Sequence, residues 1–170
     1  MESPFKFCPK CGGCLGEKNV EGIERLICTQ CGYTFYENPK PTASALLIEG
    51  DNILLVKRAI EPRKGFWDLP GGFLEKDEHP EEALRREIKE ELGVEIDILE
   101  FLGIYMGRYG YDESDGHTLN IYYLARLSSG EPKPASDIED LRWFDKENLP
   151  FELAFENNKK ALETWQREFK

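Results

Sequence analysis

Apolar positions change their period along the chain, and the changes mark out the elements. Residues 43–49 and 53–59 are apolar runs separated by Gly50-Asp51-Asn52, which predicts two strands joined by a turn. The second run, Ile53-Leu-Leu-Val56, is apolar enough to be buried on both faces of a sheet. Residues 66–69 read as a short strand that ends at Pro70-Gly71-Gly72, where paired glycines permit backbone conformations closed to other residues. Pro80 suits the first turn of a helix that runs to about Leu92 and stops at Gly93. Residues 94–106 and 118–127 are β-rich and are joined by a polar loop, 107–117; a further strand falls near 141–144. In residues 156–169, Ala161, Leu162, Trp165 and Phe169 form one apolar helical stripe. The pattern predicts the α/β (α+β) class, a mixed β-sheet sandwiched between helices.

The first forty residues do not follow this pattern. All five cysteines of the 170-residue chain fall between Cys8 and Cys31, and Asn38-Pro39-Lys40-Pro41 favours extended backbone. The expected organisation is a small module over residues 1–36, a Pro-rich connector over 37–41 and a main domain over 42–170. Cys8-Pro-Lys-Cys11-Gly and Cys28-Thr-Gln-Cys31-Gly are two C-x2-C pairs 16 residues apart, the spacing of a zinc ribbon. Cys8, Cys11, Cys28 and Cys31 would fill a tetrahedral Zn²⁺ and leave no position for water, so the site would be structural. The competing reading is two disulfides or a redox pair, and Cys14 is a bystander thiol or a substitute ligand.

The net charge of −11 lies entirely in the main domain, because residues 1–40 carry five basic and five acidic side chains. An acidic protein lacks the cationic excess that draws proteins to nucleic acids or anionic lipid, so both partners are disfavoured. No signal-peptide or membrane-spanning pattern appears, which predicts a cytoplasmic protein.

On the helix expected at 80–92, Glu87, Glu90 and Glu91 sit at i, i+3 and i+4, so three carboxylates share a face beside the apolar sector of Leu84, Ile88 and Leu92. Part-buried carboxylates in a group call for a cation, and hard oxygen donors select Mg²⁺ or Mn²⁺. A solvated glutamate-rich helix is the plainer reading of the same spacing.

Gly72, Glu78 and the run Arg86-Glu87-Ile88-Lys89-Glu90-Glu91-Leu92-Gly93-Val94 fit G-x5-E-x7-R-E-U-x-E-E-x-G-U, with U aliphatic. All nine fixed positions over 23 residues match the Nudix box, and the resemblance extends over most of residues 41–150. A cysteine ribbon joined through Tyr36-x-Asn-Pro-x-Pro41 resembles a group of ribbon-bearing Nudix hydrolases. The resemblance implies a Nudix fold that hydrolyses a nucleoside diphosphate linked to another moiety, such as ADP-ribose or a dinucleoside polyphosphate, by water attack on phosphorus. It also implies that Glu87, Glu90, Glu91 and the carbonyl of Gly71 hold the divalent ions. Arg86 would orient a metal-site glutamate, and Glu78 would tie loop to helix. Asp137 stands where many members carry a catalytic base or extra ligand, usually Glu, with Glu139 as the nearby substitute. Two rival readings stand: a nucleotide-sensing domain that does not cut, with the ribbon docking a partner, and an RNA-directed enzyme. The implied partner is a small nucleotide pyrophosphate, and a homodimer stays open as the assembly.

For substrate binding, Arg58 lies in a basic run just before the glycine loop and either meets phosphate oxygens or is solvated. Trp67 either stacks a base or belongs to the core. Arg108, Tyr109 and Tyr111 are offered by the 107–117 loop, and Tyr111 lies 17 residues past the box, where diadenosine polyphosphate hydrolases carry a tyrosine. The proline that ADP-ribose pyrophosphatases tend to show there is absent, as is the SQPWPFP sequence of NADH pyrophosphatases.

Overall fold

A computed structural model describes residues 4–110 and 116–169. It divides into two compact units, Met1–Asn38 and Pro39–Lys170.

In the first unit, β1 (Leu15–Val20), β2 (Ile23–Cys28) and β3 (Thr34–Phe35) form an antiparallel sheet in that order. Each C-x2-C pair closes a tight turn, with Gly12 N–H donating to Cys8 O and Gly32 N–H to Cys28 O. The two turns bring all four sulfurs within 4.8 Å of one another.

In the second unit, β4 (Lys40–Glu49), β5 (Asn52–Arg58), β8 (Glu95–Tyr109), β9 (Gly116–Ser129) and β10 (Ile138–Asp145) build a sheet in the order β10-β5-β4-β9-β8. The short strands β6 (Trp67–Asp68) and β7 (Gly71–Phe73) pair with β5 and β4. β4 and β9 run parallel and the other pairs antiparallel, so the sheet is mixed as expected.

Helix α1 (Pro80–Leu92) starts where the sequence places it. His79 and Glu82 form a reciprocal capping box, and Gly93 closes the helix at φ 72°. Its buried stripe, Ala83, Leu84, Ile88 and Leu92, packs with Leu47, Leu54, Val56 and Ala125 on one sheet face. Helix α2 (Glu156–Glu168) packs Ala161, Leu162 and Trp165 with Leu46, Leu55, Tyr122 and Leu124 on the other. The two helices therefore sandwich the sheet.

One boundary differs. Strand pairing continues past the apolar residues, with Arg108 opposite His117 and Tyr109 opposite Gly116. Backbone pairing along the β8–β9 ladder overrides side-chain polarity there, so much of the expected 107–117 loop is strand. Tyr111 lies outside the described residues. Among the described residues, no helix is long and apolar enough to cross a membrane.

Candidate active site

The glycine loop and α1 meet at a cleft of about 290 Å³, lined by Gly71, Gly72, Glu87, Glu91, Asp137 and others. Gly71 has φ 139°, and a Cβ there would stand 2.2 Å from the Ala43 carbonyl oxygen, so β7 can approach β4 only with glycine. A Cβ on Gly72 would stand 2.5–2.7 Å from the Glu87 carboxylate. The second glycine therefore leaves room for a functional group, and the first for the backbone.

Glu91 is buried and accepts a hydrogen bond from Gly71 N–H at 3.0 Å. Burial pushes its carboxyl well above the ordinary range; that N–H opposes the shift, while Asp137, Asp68 and Glu87 add to it. Glu87 is raised by burial too, eased by Arg86 and aggravated by Glu90 and Asp137. Carboxylates from α1 and from the segment entering β10 thus crowd one partly desolvated cleft. The donor set fits a hard divalent cation: it is all oxygen, mutually repelling, and reachable through the mouth of the cleft.

Arg86 holds the wall of the cleft together. Its Nε and one terminal nitrogen donate to both Glu78 oxygens at 2.8 and 2.9 Å, the other terminal nitrogen donates to Glu87 at 2.7 Å, and a further bond reaches Phe73 O at 3.1 Å. The bidentate pair, with the Glu75 N–H, holds the Glu78 carboxyl down to about 2. Glu90 stays exposed on the rim, 3.5 Å from Arg86 and outside the cleft lining. Glu139 is also outside it, 3.5 Å from Lys57, because the pairing of β10 with β5 shifts register between Ile138 and Asp140 and breaks the alternation. Of the two acids expected there, Asp137 is the one beside Glu87 and Glu91.

The expected substrate residues divide. Trp67 and Asp68 are neighbours on β6 and point to opposite faces. Trp67 packs edge-on against Phe144, 4.9 Å between centroids, within the α2-side core, so it is a core residue and not a stacking platform. Asp68 faces the cleft. Arg58 is 9% exposed, and its donors go to Asp68 (2.9 Å), Pro62 O (2.8 Å) and Tyr109 Oη (3.3 Å). Its guanidinium is spent inside the protein, against both readings from sequence. It braces Tyr109, which stacks on Phe155 (5.6 Å, 29°) and meets Phe73 edge-on at 5.2 Å. Arg108 is exposed beside them.

Sequence reasoning missed the floor of this region. Asn158 donates to Asp68 at 2.5 Å and accepts from Tyr122 Oη at 2.6 Å; Asn157 donates to the same hydroxyl at 2.5 Å. Thr42 donates to Asn120 at 2.8 Å, and Asn120 donates onward to the Tyr105 carbonyl and the Thr118 hydroxyl. Asn120, a polar residue interrupting the apolar run of β9, was the available signal.

In the ribbon, Cys8 Sγ lies 3.8 Å from Cys31 Sγ, and Cys11 Sγ lies 3.5 Å from Cys28 Sγ. Four sulfurs each about 2.3 Å from a central Zn²⁺ are about 3.8 Å apart, so the cluster has the size of a tetrahedral zinc site and is too open for S–S bonds. The Cys31 N–H, 3.4 Å from Cys28 Sγ, pulls that thiol down to about 6. Cys14 stands outside the cluster.

Comparison with known proteins agrees with this geometry. The NUDIX domain family matches residues 38–166, and the family described as Nudix N-terminal, a zinc ribbon, matches residues 6–37. An ADP-ribose pyrophosphatase from Methanocaldococcus jannaschii is 37% identical over 127 residues, 75% of this chain and 73% of that protein. A NAD-capped RNA hydrolase NudC from Pseudomonas aeruginosa is 33% identical over 148 residues, 85% of this chain; the chain spans about half of that protein's length, 49%. A solved NUDIX hydrolase from Nitrosomonas europaea superposes with a TM-score of 0.81 at 28% identity, covering 97% of this chain and 92% of that one. The complete box folded around one cleft, the ribbon before it and these matches together place the chain in the Nudix hydrolase family.

Proposed function

We propose that this chain hydrolyses the diphosphate of a nucleoside diphosphate linked to a second group, ADP-ribose and dinucleoside polyphosphates being the nearest chemistry, with Mg²⁺ or Mn²⁺. The observation that carries the reading is the convergence of Glu87, Glu91 and Asp137 on one partly desolvated cleft beside the glycine loop. The bound cations would neutralise the diphosphate and lower the pKa of a coordinated water. Glu87, Glu91 and the Gly71 carbonyl would hold them, with Glu90 joining from the rim. Arg86 fixes the Glu87 carboxylate, and Glu78 fixes Arg86. Asp137, beside Glu87 and Glu91, would accept a proton from the attacking water or complete the ligand set. The Tyr109–Phe155 pair would receive the nucleoside, with Arg108 at its edge. In the ribbon, Cys8, Cys11, Cys28 and Cys31 would hold a structural Zn²⁺.

The test is a panel of diphosphate compounds with Mg²⁺ or Mn²⁺, scored by product, alongside Glu91→Gln. That change keeps the shape of the side chain and removes its charge, so turnover falls by roughly 10³-fold while the fold stays intact. Near-normal turnover by Glu91→Gln would overturn the assignment.

A further inference from the structure

The floor of the aromatic pocket is a chain of hydrogen bonds whose direction is set at its charged end. Asp68 is a buried carboxylate in an ion pair with Arg58, and a carboxylate can only accept. It accepts from Arg58 at 2.9 Å, from the Leu69 N–H at 2.9 Å and from Asn158 Nδ2 at 2.5 Å. A carboxamide has one donating and one accepting end, so Asn158 turns its oxygen to the Tyr122 hydroxyl, 2.6 Å away. That hydroxyl has a single proton and commits it to Asn158 Oδ1. Its oxygen therefore accepts from the next amide, Asn157 Nδ2, at 2.5 Å. With its nitrogen spent inward, Asn157 presents its oxygen at the other end. The charge on Asp68 thus decides, through two intervening side chains, that Asn157 offers an acceptor and not a donor.

Asn157 is 5% exposed and lines the aromatic pocket with Phe73, Tyr109 and Phe155. Among the described residues no hydrogen bond is donated to its Oδ1, and that oxygen is not sealed from the pocket. Its place is left open by Gly107 on β8, where a Cβ would stand 2.6 Å from it. The amide nearby, Asn120, is already spent: its oxygen accepts from Thr42, and its nitrogen donates to the Tyr105 carbonyl and the Thr118 hydroxyl. A buried acceptor is costly to leave unmatched, and what enters this pocket is the group able to match it.

We infer that Asn157 is a specificity-determining residue: its Oδ1 accepts from the exocyclic amine of the base that lies beside Tyr109 and Phe155. Asp68, Asn158 and Tyr122 are positioning residues that aim it. The inference rests on the proposed diphosphate chemistry and deepens it by naming a rule of selection. Bases with an exocyclic amine, purine or pyrimidine, are taken in preference to counterparts with a carbonyl at the same place. An amine only donates, whereas a carbonyl would set two acceptors against each other where water is excluded.

The experiment compares substrates that share a scissile bond and differ in the base. ADP-ribose is set against IDP-ribose and against the analogue with hydrogen in place of the amine, and CDP-glucose against UDP-glucose. With the parent protein, the amine-bearing member of at least one set is expected to lead by about tenfold in kcat/KM. Asn157→Ala should bring that ratio close to one. Tyr122→Phe, which keeps the ring and frees the Asn157 amide to turn over, should lower it at least threefold, and Gly107→Ala, which displaces Oδ1, should do the same. A merely structural role would slow all members of a set alike and leave the ratio where it was. Should Asn157→Ala fail to fold, Tyr122→Phe decides by the same ratio. Equal kcat/KM within every set, or a parent preference that the deciding variant leaves unaltered, would overturn the role of Asn157 and leave the diphosphate reading standing. Failure of the parent protein to cut any of these compounds with Mg²⁺ or Mn²⁺ would overturn the diphosphate reading itself, and this inference with it.

Discussion

Two adjacent glycines should fail in opposite ways when each is changed to alanine. At Gly72 the backbone is in an ordinary region, so alanine adds no conformational strain, and it restricts the unfolded chain by about 0.4–1 kcal/mol in favour of folding. Its Cβ, however, would lie 2.6 Å from Glu87 Oε1, where ordinary contact needs about 3.4 Å. The carboxylate must therefore retreat by about 0.8 Å from the place where Arg86 holds it at 2.7 Å. Displacements near 1 Å in a catalytic group cost about 10²-fold. Gly72→Ala should then melt within a few degrees of the parent and turn over about 10²-fold more slowly, with excess Mg²⁺ recovering only part of the loss. At Gly71 the clash is with backbone, 2.2 Å from Ala43 O, and φ 139° is strained for any side chain. Gly71→Ala should lose at least ~2 kcal/mol of stability and the β4–β7 pairing. Paired thermal melts and steady-state kinetics on the two variants decide the matter. Normal activity in Gly72→Ala would refute the placement of Glu87, and a destabilised Gly72→Ala with a stable Gly71→Ala would refute the loop geometry.

Elemental analysis of freshly purified, unchelated protein should find about one zinc per chain, and Cys28→Ser should abolish it while Mg²⁺-dependent turnover persists; absence of zinc would remove the ribbon site. Arg86→Lys keeps the charge but loses the fork that grips Glu78 and the bond to Phe73 O, so kcat should fall about 10–100-fold with KM little changed; full activity would show that charge alone suffices. Tyr109→Ala should change the ranking of ADP-ribose, NADH and diadenosine polyphosphates by about tenfold in kcat/KM, and an unchanged ranking would clear this residue of a role in selection.

The glycine-loop and α1 parts of the carboxylate cleft were readable because they lie within 24 residues on one helix and the loop before it, where spacing fixes geometry. The acid that reaches the cleft from afar, Asp137, was readable only through family resemblance, and the bulge that turns Glu139 away leaves no mark in the sequence. Trp67 and Asp68 show the limit of alternation: the pattern says that they face opposite ways, but the register of a two-residue strand, not its composition, decides which faces the cleft. Arg58 looked available because its neutraliser lies ten residues on and its aromatic partners fifty and more, contacts that only the fold supplies. Asn157 and Asn158 lie outside the apolar stripe of 156–169 and form a pocket floor only because α2 packs beside Tyr122.

The helices lie on opposite faces of the sheet, each packed into a hydrophobic cluster of its own. The carboxylates ride on α1, and the asparagines and Phe155 lead into α2. A lineage could therefore exchange the segment around 153–158 and change what is recognised, while the inherited hydrolytic helix and its cluster accumulate no compensating mutations. Divergence of taste with constancy of chemistry is what such a partition permits, and mutant libraries confined to that segment and to the Arg108–Tyr109 end of β8 would sample new substrates at little risk to the reaction.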